Sequence, residues 1–206
     1  MPAFATPRRS GIAAMLAGAI LIAEVLLSEF VLEQLSYLLG LVLLLLLVAL
    51  PGLEAFQDGR DGRLGRAGFV LAWIGAAILA TLFAAVGVAE GLLGLDPDAS
   101  QALGPVLAVG FVALIAGVPL FGIAALRAGV LPRAAVLLFV VSLPLGVAID
   151  LATGAFFEDD GESSMPEIGY WVGVPAFAFA MIWLGHRMWS EPERSSARAR
   201  SGCLLG

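Results

Sequence analysis

The chain has 206 residues, of which 60% are hydrophobic and only 14% are charged. Soluble domains are roughly 45–50% apolar and about 25% charged. This composition therefore excludes an ordinary soluble domain, a disordered chain and a nucleic-acid-binding protein. The single cysteine, Cys203, excludes an internal disulfide and a metal site built from several cysteines. Such a chain is expected to be an integral membrane protein whose main surroundings are the lipid bilayer.

Six segments are long and apolar enough to cross a bilayer, which takes about 20 residues of helix. They cover 11–28, 35–52, 67–89, 102–126, 134–153 and 168–185. No segment shows the alternation of apolar and polar residues that a membrane-spanning strand requires. The sequence therefore predicts an all-α polytopic transmembrane bundle of six spans. We predict one domain over 1–189, followed by a disordered polar tail over 190–206.

The positions of the basic residues predict the orientation of the bundle. All eleven are arginines, and with six spans they all fall on one side of the membrane. They are Arg8, Arg9, Arg60, Arg63, Arg66, Arg127, Arg133, Arg187, Arg194, Arg198 and Arg200. Because basic residues are enriched on the cytoplasmic side, both termini are predicted to be cytoplasmic in a multi-pass protein of the cell membrane.

Two cytoplasmic connections have similar sequences. Residues 62–67 (GRLGRA) lead into the third span, and residues 129–134 (GVLPRA) lead into the fifth. Each places a glycine four residues before an arginine, which is typical of a tight turn followed by an interfacial anchor. The similarity fits either a parallel internal repeat, as found in transporters, or chance resemblance between two short turns.

The sequence offers no recognisable catalytic centre. A haem-binding bundle commonly uses two histidines, whereas this chain has one, His186, near the cytoplasmic end of the last span. A thiol oxidoreductase needs a pair of cysteines, and Ser142 has no histidine on its own side of the membrane to act as a base. We therefore predict no catalytic residue, cofactor or metal site, and a protein that is not an enzyme.

Two acidic residues lie within the predicted spans. Glu24 is the deeper one, about 6 Å from the midplane if the first span is centred near Ile20. Asp150 lies about one turn from the outer end of the fifth span. An acid at the centre of a bilayer costs roughly 2.5–3.5 kcal/mol. Each is therefore either protonated or hydrogen-bonded within the bundle, or part of a proton or cation site made by Glu24 and Asp150.

The chain resembles a group of bacterial and archaeal polytopic membrane proteins. The resemblance rests on residues 62–69 (GRLGRAGF) before the third helix and residues 131–134 (LPRA) before the fifth, and on a hydrophobic last helix ending in an arginine. It covers most of the chain and implies a six-helix architecture, without implying any catalytic residue.

Two functions follow as expectations. The first is a non-catalytic scaffold, accessory or regulatory protein that acts through helix contacts with itself or with other membrane proteins. The alternative is a small transporter or channel for protons or cations that uses Glu24 and Asp150.

Overall fold

The computed structural model describes residues 7–27, 35–57, 62–93, 103–153 and 168–203. These residues form six α-helices, each with a stretch long and apolar enough to cross a membrane. The helices are α1 (Pro7–Leu27), α2 (Leu35–Gln57), α3 (Gly62–Leu93), α4 (Gly104–Ala128), α5 (Arg133–Thr153) and α6 (Ile168–Cys203). The predicted all-helical architecture, with six helices long and apolar enough to span a membrane, is confirmed for the described part of the chain.

The helix ends agree with the predicted spans to within a few residues at most positions. The clearest difference is at α6, which continues to Cys203 although the predicted span ends at residue 185. The predicted ends at residues 28 and 102 lie outside the described residues. The division into a domain over 1–189 and a disordered tail over 190–206 stays a prediction.

The six helices form a closed ring in chain order. Each helix packs against the next one along the chain, and α6 returns to pack extensively against α1. Neighbouring helices are antiparallel: Gly11, early in α1, approaches Gly185, late in the span of α6, and Gly52, late in α2, approaches Ser10. The contact between α4 and α5 is the least extensive around the ring, which leaves space between these two helices.

The described arginines gather at the end of the bundle where α1, α3 and α5 begin, which we call the basic end. Those whose side chains the structure describes are Arg8, Arg9, Arg63, Arg66, Arg127, Arg133 and Arg187, and Arg194, Arg198 and Arg200 follow further along α6. Glu24 and Asp150 lie towards the other end, where the same three helices finish. We call this the opposite end. Antiparallel packing thus gathers these arginines at one end, away from Glu24 and Asp150, although the acidic Glu54 near the end of α2 also lies at the basic end.

The helices approach closely where glycines face a neighbouring backbone. A Cβ atom on Gly75 of α3 would lie 2.6 Å from the backbone nitrogen of Leu114 on α4. One on Gly11 would lie 2.7 Å from the carbonyl oxygen of Gly185, and one on Gly146 of α5 the same distance from that of Gly169. Small residues therefore bring the backbones together, which is how helices associate in membranes without a hydrophobic driving force.

Larger side chains fill the space between these contacts. Phe139 of α5 stacks on Phe177 of α6 with ring centroids 5.2 Å apart, and both rings are buried. Phe121 and Met181 are also buried. The outer surface of the bundle is apolar too, with many leucine, valine and tryptophan side chains exposed, as expected for helices surrounded by hydrocarbon.

The two similar connections share a backbone conformation. Gly62 and Gly129 have φ angles of 65° and 66°, and they are the glycines with positive φ in the described residues. Gly129 ends α4, and its N–H donates to the carbonyl oxygen of Ala125 at 3.2 Å. Glycine is favoured at both sites because side chains disfavour this conformation. The two glycines differ in position, because Gly62 begins α3 whereas Gly129 ends α4 four residues before α5, so the choice between a repeat and a chance resemblance stays open.

Candidate functional site

Glu24 is a buried carboxyl group on α1. Its side chain is only 3% exposed, and it lies three residues before the end of the helix at Leu27. Its Oε2 atom is buried and has no hydrogen-bond partner among the residues that the structure describes. A buried polar atom without a partner costs about 1–3 kcal/mol. Glu24 is thus the described carboxyl whose surroundings satisfy it least.

Asp150, in contrast, has a partner on the next helix. Its Oδ1 accepts a hydrogen bond of 2.7 Å from the backbone N–H of Gly169, the second residue of α6. The first N–H groups of a helix have no partner within the helix, and an aspartate oxygen is a preferred acceptor for them. Asp150 therefore caps α6 from the end of α5, a structural role that the sequence did not predict.

Residue 169 has to be glycine for this cap to form. A Cβ atom there would lie 2.5 Å from both Cγ and Oδ1 of Asp150, and it would also collide with the carbonyl oxygen of Gly146. Gly173, one turn further along α6, approaches the backbone of Gly146 as well. The carboxyl oxygen reaches the N–H group because the two backbones are so close.

We expect Asp150→Asn to leave the stability of the bundle within about 0.5 kcal/mol, because the amide oxygen still accepts from Gly169. Asp150→Ala should lower the free energy of unfolding by about 1 kcal/mol, since it removes the acceptor. Unfolding in a denaturing detergent, followed by circular dichroism, measures both. Thr153→Ala is the control, because the Thr153 hydroxyl bonds only carbonyl groups of its own helix in the described residues. Equal losses of stability in Asp150→Asn and Asp150→Ala would contradict the capping role of Asp150.

Asp150 also lines a cavity of about 720 Å³ between α4, α5 and α6. The lining is mostly apolar: Ala108, Phe111, Val112, Leu114, Ile115, Leu143, Gly146, Val147, Leu151, Gly169, Gly173 and Val174, together with Asp150 and Tyr170. Cavities of roughly 300–1,000 Å³ that are mainly apolar and contain few polar groups are typical of small-molecule sites. This cavity lies beside the ring's least extensive contact.

The basic end holds a second, more polar cavity of about 570 Å³. The α4–α5 turn at residues 129–132 forms one side of it, and Trp183, His186, Arg187 and Ser190 of α6 form the other. The single histidine thus lies at the basic end of the bundle. The ring of His186 also approaches that of Trp189, with centroids 6.2 Å apart.

Two further polar side chains are buried without partners near the basic end. Ser10 of α1 and Gln57 at the end of α2 are both 0% exposed. Within the described part of the chain, the Ser10 hydroxyl and both polar atoms of the Gln57 amide have no hydrogen-bond partner. Sequence analysis missed both residues, because an isolated serine or glutamine near a helix end is a common interfacial residue.

The structure does not bring Glu24 and Asp150 into a common cavity. Glu24 is on α1 and Asp150 on α5, with α6 packed between these helices, and Glu24 is not among the residues lining Asp150's cavity. Among the described residues, no group of three or more His, Cys, Asp or Glu side chains is placed to hold a metal ion. A joint site made by the two acids stays a prediction.

Comparison with known protein families, with characterised proteins and with solved structures finds no match to this chain.

Proposed function

We propose that the protein is a non-catalytic integral membrane protein that acts through helix–helix contacts, as a scaffold, accessory or regulatory component. The observation that carries the proposal is the ring closed by backbone contacts at glycines, in which the candidate acids Glu24 and Asp150 lie apart. A rigid bundle of this kind presents stable outer faces to other helices, whereas a transport path through both acids would have to cross α6.

We further propose that this bundle lies in a prokaryotic cell membrane with both termini in the cytoplasm. The gathering of the described arginines at one end supports this orientation, since cytoplasmic loops carry an excess of basic residues. Glu24 and Asp150 lie towards the opposite end, which would face outward. The resemblance to bacterial and archaeal membrane proteins supports the prokaryotic assignment.

A face for helix contacts is available on α1. Ala19 and Ala23 are both exposed and lie one turn apart, so their small side chains would let the backbone of another helix approach closely. A second copy of this protein is the simplest partner for such a face.

Energy transfer between labelled copies in vesicles tests this proposal. Donor and acceptor dyes are attached to separate samples at Cys203, the single cysteine, and the samples are mixed and reconstituted. We expect transfer well above that of a random distribution, and a several-fold loss in the double variant Ala19→Leu/Ala23→Leu. Ala116→Leu is the matched control, because Ala116 is exposed on α4 but has larger residues one turn away on either side. Equal transfer in all three proteins would contradict association through α1.

The alternative function, a small proton or cation transporter or channel, is favoured by one observation, the unpartnered Oε2 of the buried Glu24. An intramembrane acid is by default a candidate for a proton relay or ion path. The same vesicles distinguish the two functions when a pH or cation gradient is applied. Flux in the wild type that is lost in Glu24→Gln would establish transport, whereas helix contacts alone predict no flux in either protein.

A further inference from the structure

We propose that the cavity between α4, α5 and α6 binds a small amphipathic amine, with its ammonium group at Asp150 and its apolar body among the surrounding side chains. This is a ligand site in addition to the proposed helix contacts. It requires neither self-association nor flux, and it does not involve Glu24.

The shape of the cavity favours a ligand that enters from the side of the bundle. Phe111 and Val112 of α4 and Leu151 of α5 line the cavity and are also exposed on the surface of the bundle. The cavity therefore opens between α4 and α5, where the ring is least tightly packed. In a bilayer this opening meets hydrocarbon, which an apolar molecule reaches by dissolving in the membrane.

The lining favours a ligand that is apolar over most of its length and charged at one end. Most of the residues around the cavity are aliphatic or aromatic, and Asp150 is the charged residue among them. Asp150 lies near the end of α5, one turn before Thr153. A ligand with its charged group there would keep that group close to the membrane surface and its apolar part deeper, as amphipathic molecules prefer.

The chemistry of Asp150 selects a cation. Its Oδ1 is engaged by the Gly169 N–H, and within the described residues Oδ2 has no partner, so Oδ2 is the acceptor that a ligand would meet. An ammonium group donates up to three hydrogen bonds, and a bond from a charged donor to a carboxylate is stronger than a neutral one. The rings of Tyr170 and Phe111 also line the cavity, and aromatic faces attract cations.

The charge distribution of the whole chain also favours a cationic ligand at Asp150. With six spans, the outer connections contain acidic residues and none of the eleven arginines. An anionic amphiphile at Asp150 would meet a like charge with no basic residue nearby to compensate it. A neutral amphiphile would fill the cavity but forgo the charge-assisted bond, so the ammonium compound should bind more tightly than its alcohol.

Binding of radiolabelled dodecylammonium and dodecanol to the protein in phosphatidylcholine nanodiscs tests the proposal, with protein-free nanodiscs as the background. We expect both compounds to bind the wild type, with dodecylammonium the tighter. Asp150→Asn should weaken dodecylammonium binding about tenfold or more, because a hydrogen bond to a charged group is lost. Dodecanol binding should stay unchanged in this variant, which also shows that the cavity is still formed.

A second pair of variants tests whether the cavity itself holds the ligand. Val112→Trp places a large ring at the opening and should weaken the binding of both compounds. Val109→Trp is the matched control, because Val109 is similarly exposed on α4, at 60% against 67% for Val112, but does not line the cavity. Equal dodecylammonium binding by the wild type and Asp150→Asn, or unchanged binding by Val112→Trp, would overturn the proposal. So would a wild type that binds neither compound above background.

Discussion

Replacing Gly117 with leucine is expected to lower the free energy of unfolding by about 2–3 kcal/mol, the upper range for overpacking a well-packed interior. Gly117 is buried on α4 and faces α3, where a Cβ atom would collide with the backbone nitrogen of Ala72 and lie 2.7 Å from its Cα. A flexible side chain could rotate away from the new group, but a backbone cannot. The substitution therefore has to push α3 and α4 apart along one of the ring's most extensive contacts.

The size of the effect should depend on the face of the helix rather than on the leucine itself. Ala116, the preceding residue, is exposed, and Ala116→Leu should change stability by less than about 0.5 kcal/mol. Leucine favours a helix over glycine by nearly 1 kcal/mol, so the measured loss for Gly117→Leu already includes this gain. Both variants are compared by unfolding in a denaturing detergent. Similar stabilities for the two would show that α3 and α4 are not in backbone contact at this point.

Replacing Glu24 with leucine is expected to raise the free energy of unfolding by about 1–3 kcal/mol, the cost of burying a polar group without a partner. The Glu24 side chain is only 3% exposed, and its Oε2 has no hydrogen-bond partner among the described residues. It lies on α1, which packs against the two apolar helices α2 and α6. Leucine has a similar size and no polar atom to satisfy. Glu24→Gln should gain less than Glu24→Leu, because its amide still requires hydrogen-bond partners.

The control for Glu24 is its exposed neighbour on the same helix. Ala23→Leu adds an apolar side chain to the outer surface of α1 and should leave the stability of the single bundle, measured at a protein concentration too low for association, nearly unchanged. A loss of stability in Glu24→Leu would contradict the expectation and show that the carboxyl group makes a favourable interaction in the folded protein. A gain in stability together with a loss of flux would identify Glu24 as a group kept for function despite its cost.

The two candidate acids show which properties of a site can be predicted from the sequence of a single helix and which cannot. The sequence singled out Glu24 and Asp150 because acids are rare in apolar spans, and both lie towards the same end of the bundle. The sequence could not show that the two acids have different surroundings, because those surroundings are formed by other helices. Asp150 meets the N–H of Gly169, 19 residues away, whereas Oε2 of Glu24 meets no partner. Hydrogen bonds between helices depend on rotation and separation, which hydropathy does not encode.

The glycines illustrate the same limit. The sequence analysis singled out none of Gly68, Gly75 and Gly117 in the third and fourth spans, yet a Cβ atom on any of these glycines would collide with a backbone nitrogen atom of the other helix. A small residue matters for packing only where another backbone faces it, and this requires knowing which helices are neighbours.

The sequence by itself determined the number of helices, their approximate ends and the separation of arginines from intramembrane acids. It could do so because the thickness of hydrocarbon sets the length of an apolar helix, and successive crossings alternate sides. Only the tertiary structure decided that α6 closes the ring on α1, that Asp150 caps α6, and that a cavity remains beside α4 and α5. These features arise from contacts between distant segments of uniformly apolar helices, and such helices carry little pattern in sequence to specify which faces meet.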